Sequence, residues 1–573
     1  MSKVDFNNSY AKLPENFYST TNPDPVEQPG LIKFNHELAE QLGVTGLYTD
    51  EAEAVEFFSG NKIPEGAEPI AMAYSGHQFG GFSPQLGDGR AILLGEVKDK
   101  DGIRHDIQLK GSGKTPWSRG GDGRSALGPV IREYLLCEAM HKLGVPTTRA
   151  LAAVTTGEKV MRETPKPGGI LTRVATGYVR VGTFQYFASQ GNIDDLKKLA
   201  AYEIGRHYPQ AKRGFSDAKG SSAADGSKQE VKKPYVAFLK EVVNAQAKLI
   251  AKWMSLGFIH GVMNTDNMSI AGETIDYGPC AFMDEFSHSR VYSSIDQQGR
   301  YAYKNQPQIG QWNLIRFAET LLPLFAEYVT PEQGKPEEVV VLLAQEVLNE
   351  YETIYKHYWL NEMRQKLGLP TTEFLLNPEK IMEQKLKKAS AEGAAKAAAE
   401  GSSQSTSDKP TQTPSQEEIK ENRVEIAKAQ QTNADDHALI ARLLDVMQAG
   451  KADFTLTFYH LSQDFENLEN ARNLFENPDD FDAWAKKWLY RLKQEDTTAA
   501  EQQALMQSVN PVYIPRNHQV EAAIRAAEDN NDFSVFNELH DVLQNPFEFQ
   551  EGKENYMLPP KPEEVVLQTF CGT

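Results

Sequence analysis

His260–Gly261–Val262–Met263–Asn264–Thr265–Asp266–Asn267, with Asp276–Tyr277–Gly278 a short way beyond it, is the most informative stretch of the chain. It follows the cleanest helical pattern, residues 236–256, in which Leu239, Val242, Val243, Leu249, Ile250, Trp253 and Met254 recur on one face. Gly257 closes that helix, as a residue able to turn left-handed does. The segments 260–270 and 274–282 then read as loop–strand–loop. An Asn and an Asp on neighbouring strand ends, here Asn267 and Asp276, can share one hard cation. Magnesium takes oxygen ligands and leaves positions open for phosphate oxygens.

Working outward toward the N-terminus, residues 91–97 and 106–110 read as strands separated by the turn Lys98–Asp99–Lys100–Asp101–Gly102. Residues 127–143 suit a helix, ended by Gly144–Val145–Pro146, and a second β-rich patch covers 151–154 and 169–181. Lys110 ends one strand and Glu133 sits on the following helix. A strand lysine paired with a helix glutamate is how protein kinases hold ATP phosphates: the carboxylate orients the ammonium, and the ammonium neutralises phosphate charge. Kinases also carry H-R-D-x-x-x-x-N followed by D-F-G. His260 and Asn267 keep that spacing, and Asp276–Tyr277–Gly278 stands in for D-F-G. The departure is Val262, where the catalytic aspartate belongs. Valine accepts no proton, so either the chain is a dead kinase or the base has moved. Asp266 is the nearest carboxylate for that role; its other reading is a turn cap.

Beyond this region, residues 307–369 and 435–545 read as helices. Residues 211–233 and about 384–434 lack an apolar period and read as inserted low-complexity segments. The expected class is α+β, a protein-kinase-like two-lobed fold with an extended α-helical C-terminal region. Its expected parts are a β-rich nucleotide-binding lobe (1–190), a second lobe with the metal and catalytic loop (191–383), the insertion (384–434) and a helical C-terminal region (435–573).

Composition narrows the function classes. The formal charge of −19 argues against nucleic acid, whose phosphates need a basic face, but leaves room for a nucleotide in a local pocket. No apolar run reaches the roughly 20 residues of a membrane helix, and the N-terminus has no signal-peptide core. Three cysteines are too few for a disulfide framework. A cytoplasmic monomer is the expectation. The run Gly111–Ser112–Gly113–Lys114–Thr115 mimics a P-loop, but position 108 is Gln where the motif needs Gly, so a Walker A site is rejected. The remaining glycines, Gly87, Gly89, Gly120, Gly121 and Gly123, imply turns whose amides can approach an anion. Arg173 and Arg180 flank a further turn, and guanidinium forks suit phosphate oxygens.

Several long strings resemble one family. They are Gly87–Asp88–Gly89–Arg90–Ala91, Gln108–Leu109–Lys110–Gly111–Ser112–Gly113, Ser118–Arg119–Gly120–Gly121–Asp122–Gly123–Arg124, Arg180–Val181–Gly182–Thr183–Phe184–Gln185 and the loop 260–267. With Asn305–Gln306–Pro307, Asn510–Pro511 and Pro515–Arg516–Asn517–His518, they are similar to the selenoprotein O family of pseudokinases, from about Tyr10 to the last residues apart from the two insertions. The resemblance implies a kinase-like fold with ATP reversed, so that the α-phosphate faces the acceptor. It implies ATP contacts from Gly87, Gly89, Arg90, Lys110, Asp122, Gly123, Arg173, Arg180 and Asp276, with Glu133 pairing to Lys110. Asp266 is then the proton acceptor, with Asn267 and Asp276 on Mg2+ or Mn2+. The implied reaction places AMP on Ser, Thr or Tyr hydroxyls of protein substrates and releases pyrophosphate. UMP transfer from UTP with manganese, γ-phosphate transfer and a non-catalytic nucleotide-binding scaffold remain alternatives. Many members of the family end in a cysteine or selenocysteine motif. This chain ends Thr569–Phe570–Cys571–Gly572–Thr573, which points to a redox pair of Cys571 with Cys280 beside the metal loop.

Overall fold

Alternation of apolar and polar residues builds the sheet that carries the site. In the computed structural model, which describes residues 4–45, 50–213, 233–330, 333–371 and 416–569, the strands are β1 Tyr18–Thr20, β2 Gly30–Phe34, β3 Ile70–Met72, β4 Gly76–Gln78, β5 Gly81–Ser83, β6 Ala91–Lys98, β7 Arg104–Lys110, β8 Ser125–Ala126, β9 Arg149–Met161, β10 Pro165–Ala175, β11 Phe258–Ile259 and β12 Ala281–Phe282. The main sheet runs β1-β3-β6-β7-β10-β9-β2, with β8 attached to β10, and all its pairs are antiparallel. In β7, Ile107 and Leu109 enter an apolar cluster with Phe34, Leu38, Leu94, Leu151, Ile170 and Val174. With a period of two, Gln108 and Lys110 must face the other way. Register places Arg173 opposite Gln108 and Leu171 opposite Lys110, so Lys110 and Arg173 share the polar face.

The helices of the first compact unit, residues 1–356 with 511–573, are α1 His36–Leu42, α2 Glu51–Phe58, α3 Leu127–Lys142, α4 Val181–Ser189, α5 Ile193–Arg206, α6 Pro234–Ser255, α7 Gln306–Phe325 and α8 Pro336–Leu348. Then α9 Tyr351–Lys366 leads into the second unit, residues 357–510. That unit holds α10 Gln416–Ala449, α11 Phe454–Leu461, α12 Glu469–Arg472, α13 Pro478–Leu492 and α14 Ala499–Val509, with stacked Trp484 and Trp488 and a fully buried Arg364–Asp436 pair at 2.6 Å. Helices α15 Asn517–Asn530 and α16 Ser534–Val542 belong again to the first unit and pack on α3. Phe184, Phe238, Leu239, Leu314, Phe317 and Leu321 form the centre of the helical core around α4, α6 and α7.

The structure refines three readings. The strand expected through Val181 stops at Ala175, and Val181 instead opens α4, where Thr183 Oγ1 accepts the Arg180 N–H at 3.1 Å. Between 260 and 282 only the short pair β11–β12 is strand, and Thr265–Asn267 is a 3-10 turn. Helix α10 begins at Gln416, inside the low-complexity segment, because Glu, Lys and Ala are strong helix formers even without an apolar stripe. Among the described residues no helix is long and apolar enough to cross a membrane.

One buried carboxyl lies outside the Lys110–Asp276 cluster, near Arg206, Asp106 and Glu96. Glu203 on α5 is buried, and neither of its oxygens has a hydrogen-bond partner; His207 Nε2, on a ring whose pKa burial lowers to about 3, lies 3.8 Å away. Burial pushes its pKa up to about 8, against the pull of Arg206 and with help from Asp106 and Glu96. The folded state therefore holds a proton that the unfolded chain gives up in the usual carboxyl range. Stability contributed here is intact in acid and falls as pH rises toward 8. Glu203→Gln, which cannot ionise, is expected to raise Tm clearly over wild type at pH 8.5 and to give little gain at pH 5. Equal Tm differences at the two pH values would show that Glu203 does not carry this proton.

Candidate functional site

The site is assembled from three parts of the first unit: the polar face of β7 and β10, helix α3, and the loop 260–278. Glu133 projects from α3, and its Oε2 accepts Lys110 Nζ at 2.5 Å while Oε1 accepts Arg173 Nη1 at 3.1 Å. Burial works against the Glu133 charge, but Lys110 and Arg173 outweigh it and hold the carboxyl below its ordinary value. The helix itself is clamped by the returning C-terminal segment. Glu528 accepts the Gly128 N–H at 3.0 Å and pairs with Lys166 at 2.7 Å, and Asn517 accepts Arg132 Nη1 at 2.9 Å.

Asp276 is the hub. Its Oδ1 accepts Arg173 Nη1 at 2.6 Å and Lys110 Nζ at 3.4 Å, and its Oδ2 accepts Arg180 Nη1 at 2.6 Å. Burial opposes ionisation, but Arg180, Arg173 and Lys110 together hold this carboxyl well below the usual carboxylate range. Its backbone sits at φ +62°, a left-handed conformation that aspartate tolerates better than most residues and that clusters at functional sites. His260 braces the approach to it: Nε2 donates to the Ile275 carbonyl at 2.9 Å, and burial lowers the imidazole pKa. The two arginines lie against aromatic rings, Arg173 over Tyr178 at 5.1 Å and Arg180 over Tyr74 at 4.7 Å. Both are buried; sequence alone places them only beside a turn.

Asp266 stands next to this cluster. Arg180 Nη1 donates to its backbone carbonyl at 2.6 Å. Of its side-chain oxygens, Oδ2 accepts Gln78 Nε2 at 3.1 Å, while Oδ1 is buried with no partner. Burial raises its pKa to about 6, against the Gln78 hydrogen bond and the Arg180 charge. The residue at position 76 has to be glycine for this carboxyl to fit, since a β-carbon there would lie 2.8 Å from Asp266 Cβ. Asn267 donates Nδ2 to the Val262 carbonyl at 3.0 Å, which turns its Oδ1 the other way.

The remaining expected residues take other places. Gly87 and Gly89 wrap Trp117, and at Gly87 (φ +71°) a side chain would overlap the indole. The Arg90 carbonyl accepts the Gly111 N–H at 2.7 Å beside Lys110. Asp122 and Gly123 form a separate turn in which Asp122 pairs with Arg162 at 2.9 Å and the Gly123 carbonyl accepts the Gly113 N–H at 3.1 Å. Cys280 is fully buried, and Cys571 lies outside the described residues. Sequence reasoning overlooked two participants. Asp88, buried, accepts Met72 N at 3.1 Å and Gln108 Nε2 at 3.2 Å and lies 3.9 Å from Arg180 Nη2. The hairpin β4–β5 is stitched to the loop by His77 N to Thr265 Oγ1 (2.7 Å), Gln78 to Asp266 and Phe79 N to Asn264 Oδ1 (3.0 Å). The aspartate between two glycines was a visible signal for the first; the second had none.

In this mixed α/β protein three cations gather on one buried carboxylate, beside a second carboxyl with an unengaged oxygen. The family model for protein adenylyltransferase SelO matches residues 1–544. A protein nucleotidyltransferase YdiU of Rhizobium meliloti (strain 1021) is 49% identical over 581 residues, covering 100% of both chains. Proteins of the same name from Bradyrhizobium sp. (strain ORS 278) and Rhodopseudomonas palustris (strain BisB5) are 47% and 48% identical, covering 99% of each chain. The chain belongs to the SelO family of nucleotidyltransferases.

Proposed function

We propose that this protein transfers AMP from ATP to Ser, Thr or Tyr hydroxyls of protein substrates and releases pyrophosphate, in a protein-kinase-like arrangement with the nucleotide reversed. The observation that carries the reading is Asp266: a buried carboxyl with a partnerless Oδ1 and a pKa near 6, in a loop whose kinase base position holds Val262. A carboxyl tuned this way is a competent base at neutral pH. It takes the acceptor hydroxyl proton as the oxygen attacks the α-phosphorus and the bond to the pyrophosphate oxygen breaks. Lys110, Arg173 and Arg180 neutralise the charge gathering on the leaving oxygens, and Glu133 keeps Lys110 pointed at them. Gly87, Gly89, Arg90, Asp122 and Gly123 are assigned to the remaining nucleotide contacts by their match to the family strings.

A divalent cation fits the donor set. The Asn267 Oδ1 and the Asp276 carboxylate are hard oxygen ligands, and among the described residues no larger group of His, Cys, Asp or Glu competes for one. Such an ion, Mg2+ or Mn2+, supplies further charge neutralisation when bound. The deciding experiment incubates the protein with ATP labelled at the α- or the γ-phosphate. Protein-bound label from α-ATP alone is expected. Label from γ-ATP alone would make the protein a kinase with a displaced base, and label from neither with ATP still bound would favour a scaffold or a missing protein substrate.

The same reading extends to redox control through a Cys280–Cys571 disulfide. Its support is the anchoring of the tail two residues before Cys571: Thr569 Oγ1 donates to the Pro279 carbonyl at 2.6 Å, and Thr569 N donates to the Tyr292 carbonyl at 2.8 Å. Exchange with a disulfide oxidant such as oxidised glutathione would join the two sulfurs and release two thiols. Wild type is expected to change activity on oxidation and recover with a thiol reductant, while Cys571→Ala stays constant. A wild type indifferent to both treatments would remove the regulatory pair.

A further inference from the structure

Outside the cation cluster, the hairpin β4–β5 presents an unusual surface. Phe79 holds a left-handed backbone (φ 51°), rare for a bulky residue, and its side chain is 37% exposed; Phe82 is 43% exposed. This strained tip is fastened to the Asp266 loop by the three hydrogen bonds described above, and it stacks edge-on against Tyr301 at 5.1 Å, whose hydroxyl donates to Asn264 Oδ1 at 2.6 Å. His77 continues the surface, 4.9 Å from the Phe82 ring and 5.3 Å from Trp312. Two guanidinium groups lie over the Trp312 ring, Arg300 at 4.8 Å and Arg316 at 5.2 Å. Glu319 holds Arg316 at 2.6 Å. The Arg300 backbone N–H donates to Asp296 Oδ1 at 2.9 Å and its side chain meets Tyr301, but among the described residues its guanidinium makes no ion pair. The left-handed conformation is held by the Asn264 hydrogen bond and the buried Tyr301 ring, and it leaves the Phe79 and Phe82 rings partly exposed beside the Asp266 loop. With Arg316 held by Glu319, the cation this ring-lined strip leaves without an ion pair is the Arg300 guanidinium.

We propose that this hairpin and the Arg300–Trp312–Arg316 stack dock the acceptor segment of the protein substrate, and that they select hydroxyls flanked by acidic side chains. The inference rests on the AMP-transfer reading for the reaction that follows docking, though not for docking itself. An acidic side chain would pair with Arg300 above the Trp312 face, the segment would cover Phe79 and Phe82, and its hydroxyl would arrive at Asp266 through the Gln78 edge. The guanidinium is preorganised by its ring, which lowers the ordering cost of the pair.

The test measures binding separately from transfer. Three fluorescent tyrosine peptides, flanked by Glu, Gln or Lys, are titrated by anisotropy into the full chain, and α-labelled ATP is then added to the same samples. The Glu peptide is expected to bind about two- to fivefold more tightly than the Gln peptide, with Lys weakest, in line with one solvent-accessible ion pair. Arg300→Glu should invert the order of Glu and Lys, and Trp312→Ala should weaken all three. Neither variant should change ATP affinity, which also reports that they fold. Equal binding of the three peptides to wild type would overturn the proposal, and that comparison needs no variant. So would an unchanged order in Arg300→Glu, or a parallel loss of ATP affinity, which would assign the surface to the nucleotide. The expected order without any transferred label would support docking and strike the AMP-transfer reading instead.

Discussion

Replacing Asp266 with asparagine is expected to lower AMP transfer by about 10²- to 10⁴-fold while ATP binding is kept. The substitution preserves shape, and the amide can still meet Gln78, so the loop has no steric reason to move. What is lost is proton acceptance at the Asp266 carboxylate, whose Oδ1 is without a partner. Single-turnover measurement of α-label incorporation, alongside ATP affinity, separates the two effects. Transfer at the wild-type rate in Asp266→Asn would assign the proton to another group. Loss of rate and ATP affinity together would make the residue a binding element.

Asp276→Ala carries the second large effect, and it acts on both stability and chemistry. Arg173, Arg180 and Lys110 all meet on this carboxylate, and Arg173 is 2% exposed. Removing one member of such a buried network leaves cations uncompensated, at a cost of about 3–5 kcal/mol. Glu133 and Asp88 cannot replace it fully, because Glu133 already serves Lys110 and Arg173, and burial holds the Asp88 pKa up. Transfer should fall below detection, since the variant also loses the carboxylate assigned to the cation. Thermal melting without nucleotide should show a clearly lower Tm. ATP, by bringing anionic oxygens to the same three cations, should raise the variant's Tm more than it raises that of wild type. An unchanged Tm in Asp276→Ala would mean that the three cations do not depend on this carboxylate.

Both effects arise from convergence rather than from any one motif. Lys110 and Glu133 come from adjacent elements, and Arg173 from a strand paired with that of Lys110. The link to Asp276 spans 166 residues for Lys110. Helix α3 holds its place partly because Glu528 meets Gly128 across a separation of 400 residues.

By itself the sequence determined what local chemistry dictates. The period of two in 106–110 put Lys110 opposite a buried face, and the apolar stripe of 236–256 made the long helix. The spacing in 260–267 and at 276–278 marked Asp266, Asn267 and Asp276, because these depend on neighbours a few positions away. Tertiary structure alone decided that Arg173 and Arg180 are buried on Asp276 and that Asp88 joins them. It also decided that Gln78 and Phe79 sit on the Asp266 loop, and that Thr569 lies against Pro279. Hydrogen bonding and steric preference act along a few residues of chain. Which distant groups share a buried site is set by the packing of whole elements, where desolvation forces each charge to find a partner.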